Sequence, residues 1–220
     1  MLIFHSIEEC ISWRINQKTT VGFVPTMGAL HRGYLSLVDL SQKKCHKTIV
    51  SIFINPTQFA ANEDLDSYPK TIDEDLRFLK EKNVDAVFMP TAEQMYYKKS
   101  NDYFFESNLS YKLEGKSRPH FFKGVTTVVH KLFNIVAPTH TVFGQKDAQQ
   151  LLIVEQMIKE KHSSIQLIKG PIVRNSKGLA LSSRNNYLSK ENKVTACNIY
   201  AGLMNIKNSL DTGINNAEIL

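Results

Sequence analysis

The chain has 220 residues, 42% of them hydrophobic, with a formal net charge of +6 and three cysteines. That length and composition allow a packed core and exclude wholesale disorder. Charges of both signs are interspersed, and no zinc finger, RNP motif or basic helix is present, so nucleic acid is excluded as a first partner, although a locally basic cleft for a phosphate-bearing small molecule fits the charge. Cys10, Cys45 and Cys197 are scattered with no metal-ligand spacing and read as reduced, incidental thiols. Glu8 and Glu9 come too early for an apolar leader, and no run reaches transmembrane length, so a soluble, cytoplasmic protein with no membrane partner is expected.

In chain order, Val21–Val24 is an apolar run with Pro25 behind it and reads as a buried strand ending in a turn. Gly33–Lys44 has helical spacing through Leu35, Val38 and Leu40, and Thr48–Ile54 is a second strand rich in β-branched residues. A helix over Thr71–Lys82 precedes a third strand, Asp85–Met89, stopped by Pro90. Residues 91–124 are rich in aromatics, charges and turn formers without clear periodicity. Val125–Val136 is apolar at helical spacing, Thr141–Phe143 reads as a strand, and Ala148–Lys161 is strongly helical. Ile165–Ile168 and Pro171–Val173 look extended, and the chain beyond Asn186 turns helical and polar. Alternating strands and helices predict an α/β fold, a mostly parallel sheet with helices on both faces and ligands at the carboxyl ends of the strands.

The chemistry-bearing stretches lie mostly at those ends. Pro25-Thr26-Met27-Gly28-Ala29-Leu30-His31-Arg32-Gly33-Tyr34 follows the first strand and opens the first helix. Glycines there let backbone approach a phosphate, and the helix N-terminus and a first-turn histidine can donate to it. After the second strand comes Phe53-Ile54-Asn55-Pro56-Thr57-Gln58-Phe59. Its Asn and Gln can bind a carboxylate or hydroxyls without a competing charge. Turn chemistry explains Asn55-Pro56 equally well, but not Gln58. In Gly144-Gln145-Lys146-Asp147-Ala148-Gln149-Gln150, Lys146 offers a flexible cation, Asp147 is a further cleft candidate or a helix cap, and Gln150 can face the same pocket as Gln58. Ser182, Ser183 and Arg184, after Leu181, form either a phosphate clamp or a polar turn.

These stretches resemble the pantothenate synthetase (pantoate–β-alanine ligase) family of the nucleotidyltransferase superfamily, which carries P-T-M-G-x-L-H-x-G-H, N-P-x-Q-F, G-x-K-D-x-Q-Q and S-S-R-N in this order. Glu63–Pro69 and Leu113–Phe121 match further family segments, so the resemblance runs from about Val21 to Leu188. It implies a Rossmann-like domain over 1–175 and a phosphate-binding loop with a partial C-terminal lid over 176–220. The implied reaction joins pantoate to β-alanine through a pantoyl adenylate, consuming ATP with Mg2+. His31, Tyr34, Lys146, Ser182, Ser183 and Arg184 are the implied catalytic set. ATP contacts are implied along Met27–Tyr34, along Gly144–Asp147, at Val173 and along Leu181–Arg184. Pro25, Met27, Gln58 and Gln150 are implied for pantoate, and Asn55, Gln58, Tyr68 and Arg118 for β-alanine. Glu74 and Asp75 lie near a Mg2+-contacting stretch of some relatives, or are solvated helix N-terminal acids. The family is usually a homodimer.

Two departures stand out. Tyr34 replaces the family's second signature histidine, the assigned proton donor, so slowed adenylation is expected rather than lost ATP binding. The family's second domain normally continues well beyond residue 220, so the sequence is either a truncated piece or a naturally short protein, and a shortened lid could bind ATP yet leak adenylate to water. Rival readings are a nucleotidyltransferase with another acceptor, which the Asn55–Phe59 stretch and the doubled Gln149-Gln150 oppose, and a nucleotide-binding relative with decayed chemistry.

Overall fold

The computed structural model describes residues 1–96, 105–216 and 218. The elements run β1 (Leu2–Phe4), α1 (Ile7–Ile15), β2 (Val21–Thr26), α2 (Arg32–Lys44), β3 (Lys47–Ile52), α3 (Ile72–Glu81), β4 (Ala86–Phe88) and α4 (Ala92–Tyr96). They continue with α5 (Glu114–Ser117), α6 (Phe121–Val136), β5 (His140–Gly144), α7 (Ala148–Lys161), β6 (Gln166–Gly170), α8 (Lys190–Ala196) and α9 (Asn198–Asp211). No described helix is long and apolar enough to cross a membrane.

The strands pair in parallel in the order β1-β4-β3-β2-β5-β6. Strand side chains alternate between faces. Phe23, Ile49, Ala86 and Phe88 therefore pack on one face with Phe133 of α6 and Met157 of α7. Val24, Val50, Val87 and Val142 pack on the other with Leu37 of α2 and Leu79 of α3. Both faces are buried, as a parallel sheet covered by helices requires. The Phe133 ring sits edge-on to Phe23 and Phe143; burying a ring of this size stabilises by about 1.5–3 kcal/mol.

The chain starts at the edge strand β1, crosses to β2, builds β3 and β4 back toward β1, then returns to lay β5 against the other side of β2. This reversal makes the carboxyl ends of β2 and β5 the place where flanking loops diverge and a ligand cleft opens. The expected extension at Pro171–Val173 does not add a strand; a single antiparallel bridge, Arg174 to Ala180, closes a turn there instead. Helix α9 is held to that turn by Arg174 stacked 4.0 Å above the Tyr200 ring. Its residues Ile199, Leu203, Ile206 and Leu210 are exposed.

Candidate active site

The loops after β2, β3, β5 and β6 enclose a cavity of about 210 Å³, walled on one side by Val125, Val128, Val129 and Leu132 of α6. Val125–Val136 was legible as helix, but nothing in its spacing marked this stretch as a cleft wall.

The turn from β2 into α2 is unusual backbone. Gly28 and Ala29 are both left-handed, with φ of 85° and 51°, which for an alanine costs about 1–2 kcal/mol. Two hydrogen bonds hold it: Ala29 N and Leu30 N donate to the two oxygens of Asp75 at 2.8 and 2.7 Å. Burial pushes the Asp75 carboxyl up, and those backbone donors pull it part of the way back. His31 then caps α2, its Nδ1 accepting from Gly33 N at 3.1 Å. A Cβ at Gly33 would come within 2.7 Å of that ring, so the cap needs a glycine there. Burial, and secondarily the Lys146 charge, hold the His31 pKa below its ordinary value. With Nδ1 accepting, the neutral ring carries its proton on Nε2 and is a donor. Tyr34 stacks beside it, ring centroids 4.7 Å apart. Burial first, then the charges of Tyr68 and Asp147, push the Tyr34 phenol well above its ordinary range, so it stays neutral.

Gln58 lines the cavity between two partners, accepting from Asn55 Nδ2 at 3.2 Å and donating to the Met27 thioether at 2.9 Å. A thioether is a weak acceptor, so a carboxylate displaces it readily. Asn55 is only 1% exposed. Its Oδ1 accepts from Tyr96 Oη at 2.6 Å and from Thr57, and its Nδ2 also donates to Gly124 O. It thus orients Gln58 while itself lining the cavity. Lys146 and Asp147 enter from the β5 loop as an ion pair at 3.0 Å, and the Asp147 side chain makes no helix-capping hydrogen bond. Gln150 lines the cavity, whereas Gln149 donates to Leu109 O and Lys112 O and accepts from Glu114 N. The doubled glutamines therefore divide, one facing the cleft and one pinning the 108–114 segment.

Ser183 reaches the first turn, its Oγ donating to Ala29 O at 3.0 Å. Ser182 caps its own turn by accepting from Arg184 N, and Arg184 lies 5.5 Å from the Tyr68 ring. Pro25, Met27, His31, Gly33 and Tyr34 line one side of the cavity, and Val173, Leu181 and Ser182–Arg184 line another, with Gly144, Lys146 and Tyr68 between.

Several expected contacts fall elsewhere. Gly28, Ala29, Leu30, Arg32 and Gln145 shape or flank the loops without lining the cavity. Arg118 does not line it either: it is engaged with Glu63 and Glu114, with Gln58 O and with the Phe121 ring. Glu74 is exposed and paired with Arg77 at 3.6 Å, and both Asp75 oxygens are taken by backbone, so this pair does not fit a metal. Among the described residues no cluster of three His, Cys, Asp or Glu side chains is placed to hold one. Residues 97–104, part of the aromatic-rich segment, lie outside the described residues.

A helix N-terminus with its histidine donor, two cations and a pair of side-chain amides all converge where the strand order reverses. With the parallel sheet, that convergence defines an α/β enzyme of the nucleotide-activating class. The sequence model of pantoate–β-alanine ligases matches residues 2–219. A pantothenate synthetase from Thermosipho africanus is 47% identical over 100% of this chain and 80% of its own. The pantothenate synthetase structure from Thermus thermophilus superposes with a TM-score of 0.92 at 39% identity, covering 97% of this chain and 77% of that one. A Francisella tularensis pantoate–β-alanine ligase complexed with β-γ ATP and β-alanine gives 0.86 at 38% identity, over 91% and 78% of the two chains. This chain belongs to the pantoate–β-alanine ligase family.

Proposed function

We propose that the chain condenses pantoate with β-alanine at the expense of ATP, through a pantoyl adenylate, giving pantothenate, AMP and pyrophosphate. The observation that carries this is the meeting of Gln58 and Gln150 with His31, Lys146 and Ser182–Arg184 around one cavity. An acid and a nucleotide can lie side by side there. Gln58 and Gln150 hold pantoate so that its carboxylate attacks the α-phosphorus in line as the bond to pyrophosphate breaks. His31 Nε2–H, Lys146, Ser182, Ser183 and Arg184 spread the phosphate charge. The β-alanine amine then attacks the acyl carbon, and AMP leaves. Asn55, Gln58 and Tyr68 contact β-alanine, whereas Arg118 supports the wall through Gln58 O and the Phe121 ring.

ATP is taken as its Mg2+ complex. An ion carried on phosphates needs only one or two protein carboxylates, and Asp147 is the carboxylate among the described cavity-lining residues. The ion would neutralise phosphate charge. The sheet with its helices, 1–175, is the nucleotide- and pantoate-binding domain, and 176–220 the phosphate loop with the start of a lid. The family resemblance supports a homodimer and a cytoplasmic location.

The test mixes the purified chain with ATP, Mg2+ and pantoate, with and without β-alanine. Pantoate-dependent pyrophosphate, with pantothenate only when β-alanine is added, supports the ligase. The neutral Tyr34 favours a second reading, nucleotide binding without turnover. ATP binding with no pantoate-dependent pyrophosphate would establish that instead.

A further inference from the structure

Asp75 does not line the substrate cleft. It lies on α3, 1% exposed, beside a second cavity on the far side of the Met27–Ala29 turn. Its Oδ2 accepts from Ala29 N, its Oδ1 from Leu30 N, and Thr71 Oγ1 donates to Oδ1 at 3.2 Å. The backbone it grips is the one L-residues resist: two successive left-handed residues, the second of them an alanine. A Cβ on Gly28 would approach Asp75 Oδ2 to 3.1 Å, so the fit between carboxylate and turn is close. Two parts of the catalytic set hang from this turn. His31, the α2 cap, begins one residue after Leu30, and Ser183 is tied to the carbonyl of Ala29. A carboxylate accepting consecutive backbone donors makes short, charge-assisted bonds that fix a loop more firmly than a neutral group can.

We propose that Asp75 is a positioning residue for nucleotide activation, holding the Ala29–Leu30 backbone so that His31 and Ser183 keep their places on the phosphates. This rests on the reading of the cleft as an ATP site. It gives Asp75 a backbone partner where the family resemblance implied a metal.

The test compares Asp75→Asn, Ala29→Gly and the double variant with wild type, by pantoate-dependent pyrophosphate release and by ATP calorimetry. Asp75→Asn is expected to lose about 10–100-fold in kcat, the scale of a small displacement of catalytic groups, with KM for pantoate unchanged. Glycine adopts the left-handed turn without Cβ strain, so the double variant is expected to recover part of that loss. An Asp75→Asn variant with wild-type kcat, a loss that glycine at 29 leaves untouched, or a loss reversed by raised Mg2+ would each overturn the proposal. If Asp75→Asn does not fold, Thr71→Val removes one support of the carboxylate and is expected to lower kcat in the same direction; an unchanged kcat there overturns it too. A wild type that shows no pantoate-dependent pyrophosphate removes the ligase reading instead. In that event the ATP affinities, expected to fall in Asp75→Asn and recover in the double variant, still decide the positioning role.

Discussion

Arg184 and Asp64 are joined by two hydrogen bonds, Nε and Nη2 each donating to the carboxylate at 2.9 Å, and Tyr187 Oη donates to the same group at 3.1 Å. The guanidinium assigned to phosphate is therefore already engaged, and it holds the Asp64 carboxyl below its usual range. The pair is partly solvated, with side chains 45% and 22% exposed, and such pairs contribute about 0–1 kcal/mol. A triphosphate offers the same fork more charge and is expected to displace Asp64. Asp64→Asn should then tighten ATP binding by about 2–5-fold, the scale of that lost competition. Arg184→Ala should weaken it by about 10–100-fold, the scale of a hydrogen bond to a charged group. Calorimetry reads both. Weaker ATP binding in Asp64→Asn would mean that Asp64 orients the arginine rather than competing for it.

Tyr34 lies against His31 and is kept neutral by burial. It can give one neutral hydrogen bond where a histidine can place positive charge on a developing phosphate. Tyr34→His is expected to raise the single-turnover rate of pyrophosphate release by about 10²–10³-fold, the scale of one transition-state donor. ATP affinity should change little. A rate that stays level or falls would show that the tyrosine is not what limits adenylation.

His31 has two jobs on opposite sides of one ring: Nδ1 caps α2 by accepting from Gly33 N, and, on the proposed reading, Nε2–H donates to the phosphates. His31→Ala removes both. The lost cap should cost about 1 kcal/mol in urea unfolding, and the lost donor about 10²–10³-fold in pyrophosphate release. Protonation would also convert Nδ1 from acceptor to donor and break the cap. Because burial and Lys146 hold the pKa below its ordinary value of 6.5, the neutral ring persists to lower pH than in a free histidine. The acid limb of the rate profile is expected below that value. An acid limb at or above 6.5 that disappears in His31→Ala would contradict this assignment.

The fold was legible wherever an apolar run met a punctuating residue. Val21–Val24 before Pro25 and Ala148–Lys161 recur as β2 and α7, because buried parallel strands and long apolar helix faces leave dense patterns. Strand β1 has three residues, two of them exposed, and so no periodicity to read. Helix α1 carries only a local signal in sequence, the capping box of Ser6 and Glu9. Helix α6 begins at Phe121, four residues before the apolar run at Val125, and Gly124 in its first turns lets it pack against the Thr57 backbone. At the site, Gln58 and Lys146 stand out in sequence because their motifs follow strands, and Ser182–Arg184 because two hydroxyls and a guanidinium adjoin; all of them line the cavity. Asn55, Gln149, Arg118 and Asp75 show the limit. Each is a polar residue in a motif or near one, and each side chain is engaged by a partner that sequence does not display: Tyr96 for Asn55, which still lines the cavity, Leu109 O for Gln149, Glu63 for Arg118 and the Ala29–Leu30 backbone for Asp75.

His130 and His162 share a hydrogen bond, Nδ1 to Nε2, at 2.8 Å, and His130 Nε2 meets the Asn134 amide at 3.0 Å. The Asn134 Nδ2 donates to His130 Nε2, so His130 carries its proton on Nδ1 and donates to His162 Nε2; each ring accepts at one nitrogen, and both are neutral in the intact pair. Burial, with Lys131 beside His130 and His130 beside His162, holds both pKa values below 6.5. The folded state therefore binds fewer protons than the unfolded chain as pH drops. The stability tied to this pair is complete above 6.5 and is lost as pH falls through that value toward the lowered folded values. His162→Phe removes one titrating partner while keeping a ring against Phe133, to which His162 is edge-on. At pH above about 7 it should be less stable by about 0.5–1.5 kcal/mol, the net worth of one hydrogen bond. Its urea midpoint should then change less than that of the wild type between neutral and mildly acid pH, since less proton uptake accompanies unfolding. Equal slopes in the two proteins would place the acid sensitivity on other groups.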